Sequence, residues 1–171
     1  MIPERATHED RRRELALWVL YAAEFNGQPP LASLAAVDEA IVGTAEPLTA
    51  KHVSPYHRIE RFDDFIPERD EWEAMRDEVT ETVHLVAHQM TLIDEHIRTA
   101  SPRWRLDRMP PIDRTLLRIG VAELISTDRP RARGTVNGLM EIAKRYGEEQ
   151  TPRFVNGILD QVRRNLNIPF N

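Results

Sequence analysis

The sequence predicts an all-α protein, a compact bundle of about six to seven helices in two subdomains. Apolar residues recur three and four positions apart along most of the chain, whereas no useful stretch alternates like a half-buried strand. Glycines and prolines at 27–30, 102 and 110–111 interrupt that periodicity, as expected between helices. With 171 residues, 41% of them hydrophobic, the chain is long enough to bury a core of its own.

The first three predicted helices span about 10–25, 31–42 and 70–99. Apolar residues between 15 and 23 cover nearly the whole circumference of the first, so we expect it to be buried on several sides. Apolar residues of the third alternate four and three apart, which predicts a narrow seam between other helices. The segment 44–69 contains three prolines and no sustained periodicity, and it is predicted to be an insertion-like loop.

A fourth helix is predicted at about 112–126, and two more lie between 136 and 166. Gly120 costs up to about 1 kcal/mol relative to alanine inside a helix, so we expect another helix to approach closely there. Gly147 is predicted to end the fifth helix in the left-handed conformation, and Thr151 to be the N-cap of the sixth. Trp104 is expected to anchor the turn before the fourth helix, together with the apolar residues at 106 and 109.

We therefore expect a single domain over 1–171, with subdomains at about 9–100 and 101–168. The net charge of −5 argues against a surface that is basic all round, although a local basic patch is compatible with it. The absence of cysteine excludes disulfides and thiolate chemistry, and no apolar run is long enough for a membrane span. The first residues do not resemble a signal peptide, so we expect a cytoplasmic protein.

The sequence carries no pattern typical of a catalytic or cofactor site. Its seven glycines never cluster into a phosphate-binding loop, and no nucleophile-elbow motif is present. His84 and His88 have the spacing of metal ligands on a helix, but solvated histidines are the ordinary explanation for such a pair. We therefore expect neither an enzyme, nor a cofactor, nor a metal site.

Arg11, Arg12 and Arg13 form a basic cluster at the start of the first helix. Their charges oppose the partial positive charge of a helix N-terminus, and Glu9 and Asp10 reduce that conflict. One interpretation is that the guanidinium groups contact the phosphates and bases of single-stranded RNA. The other is an ordinary solvated helix start.

Several motifs resemble the NusB family of transcription antitermination factors. Residues 137–160 read NGLMEIAKRYGEEQTPRFVNGILD, which resembles the family's C-terminal signature of an aromatic-glycine turn followed by FVNG. Residues 13–17 (RELAL) and 20–24 (LYAAE) resemble its opening helix, and residues 109–124 (MPPIDRTLLRIGVAEL) resemble its central helices. Because the motifs occur in the family's order, the match is far more specific than any one of them.

The resemblance implies a non-catalytic protein that binds the boxA element of ribosomal RNA transcripts together with the ribosomal protein NusE. The complex would then join the antitermination assembly on RNA polymerase. Asp113 lies in a motif that the family uses near partner contacts; by pattern alone it suits an ordinary helix start. By the same resemblance the RNA contacts are Arg11, Arg12, Arg13, Tyr21, Arg118 and Phe154. By pattern alone, Tyr21 and Phe154 are better explained as core aromatics.

Eight residues return a helix to roughly the same face, so Arg13 and Tyr21 are expected to share one exposed surface with the other arginines and Phe154. The chain departs from the family pattern at Glu9 and Asp10, and at QTPR (150–153), where the family often has DSHK. Two alternatives remain open. One is an RNA-docking module for a ribosomal-RNA-modifying enzyme. The other is a helical adaptor or homodimer with a large apolar patch and salt-bridged arginines at 11–13.

Overall fold

The computed structural model describes residues 7–42, 67–126 and 132–170. Within these ranges the chain forms six α-helices and a short 3-10 turn (Leu106–Arg108), without strands. The prediction of an all-helical protein is confirmed, and the predicted ends of the first four helices lie within two residues of the observed ones. The helices are α1 (His8–Phe25), α2 (Pro30–Val42), α3 (Arg69–Ala100), α4 (Pro111–Ile125), α5 (Ala132–Tyr146) and α6 (Thr151–Asn165).

Helix α1 lies inside the bundle and packs against α2, α3, α4 and α5. Every residue from Arg12 to Ala23 is buried, which confirms the burial expected from apolar residues on all sides. The helix begins after Thr7, whose hydroxyl oxygen accepts a hydrogen bond from the Asp10 backbone N–H at 3.1 Å. It ends before Gly27, whose φ of 63° suits a residue without a Cβ atom.

Helices α3 and α4 complete the centre of the bundle. Apart from the partly buried Met90, the α3 seam is buried from Val79 to Ile97, and the backbone departs from helical geometry at Gln89 (φ −110°, ψ 15°). In α4, a Cβ atom on Gly120 would lie 2.7 Å from Leu159 of α6 and 2.9 Å from Leu139 of α5. The close approach predicted at Gly120 is therefore confirmed. The described helices share one hydrophobic core, and the division into subdomains near residue 100 stays a prediction.

The turn between α5 and α6 differs from the prediction in two respects. Gly147 does not have a positive φ; a Cβ atom there would instead collide with Thr151 and with the carbonyl oxygen of Ala143, at 2.4 and 2.7 Å. Thr151 is the first residue of α6, not its N-cap, which is Gln150. The Thr151 hydroxyl is buried, where it donates to Asp113 at 2.7 Å and accepts from the Glu148 N–H at 3.0 Å.

Two further predictions concern the segment 44–69 and membrane-spanning helices. The predicted loop at 44–69 lies outside the described residues except for 67–69, the last of which begins α3. Among the helices that the structure describes, none combines the length and the apolarity needed to cross a membrane.

Candidate nucleic-acid interface

Arg12 and Arg13 are buried, with 9% and 2% of their surface exposed. Arg13 donates from Nε and Nη2 to the two carboxylate oxygens of Glu123, at 2.9 and 3.0 Å. Arg12 donates from Nη2 to the same carboxylate at 2.9 Å and from Nη1 to the Thr82 hydroxyl at 2.5 Å. The expectation that both arginines line an exposed surface is wrong, because their charges are neutralised inside the bundle.

Glu123 is the centre of this cluster and connects several helices. Its carboxylate, on α4, accepts hydrogen bonds from Arg12 and Arg13 of α1. It also accepts a hydrogen bond from the Thr135 hydroxyl of α5, at 2.8 Å. Burial alone would raise the pKa of Glu123, but the hydrogen bonds and charges of Arg13 and Arg12 hold this pKa below its ordinary value. The carboxylate therefore stays ionised and compensates two buried cations.

Arg11 is paired as well. Its guanidinium donates to both oxygens of Glu71 at 2.6 and 2.9 Å, and to Glu14 at 3.1 Å. Glu14 also forms an ion pair with Arg145 of α5. Burial raises the pKa of Glu14 although both arginines act to lower it. All three arginines of the N-terminal cluster thus bind carboxylates, which was one of the two features expected of a helical adaptor.

The second feature expected of an adaptor is a large apolar patch, which would have to consist of exposed apolar side chains. Within the described ranges, those of large size occur on four separate parts of the chain. Single apolar residues scattered over a surface are usual in soluble proteins. They are Phe25, Leu92, Trp104 and Phe170.

Tyr21 and Asp113 are also internal. Tyr21 is 8% exposed and belongs to the hydrophobic core, so the expectation of an exposed ring on α1 is wrong. Asp113 is 4% exposed and accepts the hydrogen bond of the Thr151 hydroxyl, which fastens the start of α6 to α4. Burial raises the pKa of Asp113, with a smaller opposing effect of Thr151. Neither side chain is presented to a partner in this structure.

Arg118 occupies a different place, an open cleft of about 680 Å³. Glu24 is the residue of α1 that lines the cleft. It follows Arg13 by eleven residues and so lies about 16 Å further along α1. The structure therefore separates Arg118 from the N-terminal arginines. The cleft is lined by Glu24, Asp94, Arg98, Ser101, Pro102, Trp104, Arg105, Leu106, Asp107, Arg114 and Arg118.

The floor of the cleft is a network of ion pairs. Arg118 donates to both oxygens of Asp94 at 2.9 and 3.0 Å and to Glu24 at 3.2 Å. Arg114 also pairs with Glu24, and its Nη1 donates to the carbonyl oxygens of Leu106 and Met109 at 2.7 and 3.0 Å. These bonds fix the loop between α3 and α4 against the end of α1.

An aromatic pair, Trp104 and Phe154, lies at the edge of the cleft. Trp104 is 61% exposed, although the sequence predicted an anchoring role; Leu106 and Met109 are the buried residues of that turn. The ring of Trp104 meets that of Phe154 at a centroid distance of 5.3 Å and an angle of 75°. Phe154, at the start of α6 and half-buried, is thereby brought to the edge of the cleft that Arg118 lines.

Sequence reasoning missed the roles of Glu24, Asp94 and Trp104 in this cleft. A signal for Trp104 was available, because the residue lies in a helix break between two arginines, Arg103 and Arg105. The ion pairs join residues far apart in the chain and had no local signal.

His84 and His88 lie on the exposed side of α3 with their rings stacked at 5.5 Å. Their facing nitrogens, Nδ1 and Nε2, are 3.4 Å apart. Over the described parts of the chain, no group of three histidine, aspartate or glutamate side chains is arranged to hold a metal ion.

Comparison with known proteins assigns this arrangement to a family. A family model described as the NusB family matches residues 10–164. A "Transcription antitermination protein NusB" from Solibacter usitatus (strain Ellin6076) is 30% identical over 159 residues, which are 93% of this chain and 90% of the relative. Another protein of that name, from Sorangium cellulosum (strain So ce56), is 43% identical over 50% of this chain; the match spans only 61% of that relative's length.

The fold agrees with solved structures. A structure described as "Crystal Structure of Antitermination Factors NusB and NusE in complex with dsRNA" matches with a TM-score of 0.63. That match covers 92% of this chain and 96% of the other, and at 23% identity it shows the fold alone. The family model over residues 10–164 and the Solibacter usitatus relative, matched over 90% of its length, show that this chain belongs to the NusB family.

Proposed function

We propose that this protein is a transcription antitermination factor that binds boxA RNA of ribosomal RNA transcripts together with the ribosomal protein NusE. Membership of the NusB family carries the proposal, since its relatives are named as antitermination proteins. The similar solved structure, which contains NusE and double-stranded RNA, supports the choice of partners. The function is one of binding, and the complex acts by joining the antitermination assembly on RNA polymerase.

The cleft beside Trp104 is the surface that we propose for the RNA. Four arginines and three carboxylates line it, so its net charge is positive although that of the chain is −5. Local charge, more than the total, attracts a polyanion. Arg118 and Phe154, both expected from the family resemblance to contact RNA, lie in or beside this cleft. Asp113 supports this surface from within, because its bond with the Thr151 hydroxyl fastens the start of α6, where Phe154 lies.

The proposal is tested by titrating a fluorescently labelled boxA-like RNA with the protein, with and without NusE, and recording anisotropy. We expect weak binding by the protein alone and tighter binding with NusE, because two RNA-contacting surfaces in one complex act together. An RNA of the same composition in scrambled order is the control. Equal affinity for the two RNAs, in the presence of NusE, would contradict boxA recognition.

A second function is favoured by one observation, the pairing of all three N-terminal arginines with carboxylates. In that case the protein is a non-catalytic helical adaptor or a homodimer. Failure to associate with NusE in size-exclusion chromatography would support it. A concentration-dependent shift to twice the mass would identify the homodimer.

A further inference from the structure

Trp104 differs from the other two tryptophans of the chain. Trp18 and Trp72 are 1% and 0% exposed, whereas Trp104 is 61% exposed. Its contact with Phe154 has the edge-to-face geometry, at 75° between the ring planes, which leaves a broad part of the indole surface uncovered. A large aromatic side chain held at the rim of a charged cleft is suited to receive a flat ligand.

We propose that Trp104 stacks on one unpaired base of the bound RNA, with Phe154 beside it. This inference rests on the proposed function and names the form of RNA that the cleft takes. Every base has a π face, so stacking tolerates any sequence, but in a duplex both faces are covered by neighbouring bases. A base must therefore be single-stranded or splayed out at Trp104, which is how proteins usually read RNA.

The charges around the ring separate base contacts from phosphate contacts. The guanidinium groups of Arg114 and Arg118 are neutralised by Glu24 and Asp94, so the floor of the cleft repels a phosphate as much as it attracts one. These paired groups instead offer hydrogen-bonding atoms to the edge of a base. Such a floor favours a base over the sugar-phosphate backbone.

The cations for the flanking phosphates are Arg103 and Arg153. Each precedes one of the two rings, Trp104 and Phe154, and each is exposed. Within the part of the chain that the structure describes, neither pairs with a carboxylate, in contrast to the arginines of the cleft floor. Arg103 and Arg153 are each one residue, about 3.8 Å between Cα atoms, from a ring of the aromatic pair, so we expect them to contact the phosphates that flank a base stacked on Trp104.

Tryptophan fluorescence gives a direct test, because the two buried tryptophans supply a constant background. Addition of single-stranded boxA-like RNA should quench the emission of the wild-type protein, and the Trp104→Phe variant should lose that change. In parallel anisotropy titrations, Trp104→Ala should weaken RNA binding roughly 5- to 150-fold without changing its salt dependence, because stacking releases no counterions. The RNA affinity of Trp104→Phe should lie between those of the wild type and Trp104→Ala.

Phe170→Ala is the matched control, since Phe170 is an exposed aromatic residue outside the cleft, in contact with Arg133 and Arg163. It should bind RNA like the wild type. The double variant Arg103→Ala/Arg153→Ala should weaken binding and reduce the salt slope by about 0.7 for each lost contact with a single strand. Thermal unfolding of all the variants should stay near that of the wild type, because the altered side chains are exposed.

Four outcomes would overturn the inference. If RNA binds but Trp104→Ala binds equally well, the proposed function stands and the stacking site is wrong. Equal dependence on Trp104 for a fully paired duplex would refute the unpaired base. If Trp104→Ala loses binding to NusE but keeps its affinity for RNA, the indole ring contacts the protein partner and not a base. Absence of RNA binding by the wild type, with and without NusE, would refute the proposed function together with the inference.

Discussion

Replacing Glu123 by glutamine tests whether the charge cluster of the N-terminal arginines is a structural element of the bundle. The carboxylate is 5% exposed and receives bonds from Arg12, Arg13 and Thr135 at 2.8 to 3.2 Å. Glutamine has nearly the same shape but no charge. Among the described residues, the two buried guanidinium groups would then keep the carboxylates of Glu9 and Asp10, at the solvent-facing edge of the cluster, and for Arg12 a longer ion pair of 4.0 Å with Glu78.

Removing one partner of a buried ion pair costs about 3–5 kcal/mol, because the remaining charge is buried without compensation. For a domain of this length, 1 kcal/mol corresponds to about 2–4 °C in Tm, so we expect Tm to fall by roughly 6–20 °C. The lost free energy is a large part of the about 5–15 kcal/mol that stabilises a typical domain. By the same reasoning, alanine at Arg12 or Arg13 should also lower Tm, because it removes the other partner of the buried ion pair.

Thermal and urea unfolding followed by circular dichroism at pH 7 measure this effect. Glu81→Gln is the matched control, because Glu81 is an exposed glutamate of α3, and its Tm should not change. The folded-state pKa of Glu123 is below the ordinary value of 4.5, so its stabilisation is complete above pH 4.5 and is lost as the pH falls through the folded-state value. The difference between the wild type and Glu123→Gln should therefore shrink in acid. A Tm within 2 °C of the wild type at pH 7 would refute the structural role of the cluster, given about 2–4 °C per kcal/mol.

Three further predictions concern the core and the helices. Leu20→Asp should abolish cooperative unfolding, since Leu20 is 5% exposed and an unpaired carboxylate would enter apolar surroundings; a wild-type melting curve would contradict this. Gly120→Ala should lower the free energy of unfolding by about 1–3 kcal/mol through the clash with Leu159. Gly157→Ala, with nothing within 4 Å of the new Cβ, should raise it by up to about 1 kcal/mol. Equal effects of the two substitutions in urea unfolding would argue against the close packing at Gly120. Burial, with a smaller effect of Glu14, raises the pKa of Tyr146 to about 12. Since an unfolded tyrosine ionises near pH 10, stability should fall between about pH 10 and 12, and Tyr146→Phe should lose less over that range in urea titrations.

The pattern of the sequence was sufficient to predict where the helices lie in the chain and that α1 is buried. Apolar periodicity, the break at Gly27 and the glycine within α4 are local consequences of helix geometry, so they could be predicted before the neighbours were known. The close approach at Gly120 followed because a glycine inside a helix lowers its stability unless packing compensates. The order of the motifs was likewise enough to indicate the NusB family.

The sequence could not show which charges would be paired. Arg12 and Arg13 were expected at the surface, and their burial depends on Glu123, which is 111 and 110 residues away in the chain. Tyr21 faces the core for a similar reason, since helices α2, α3, α4 and α5 pack around α1.

The cleft is also a product of tertiary structure. Trp104 and Phe154 are fifty residues apart in sequence but in edge contact in the bundle, beside the ion pairs of Arg118. Local sequence determines where helices begin and end because hydrogen bonding and side-chain periodicity act within a few residues. The partner of a charged or aromatic side chain is decided only when distant segments pack together, because burial and electrostatic compensation depend on everything that surrounds the group.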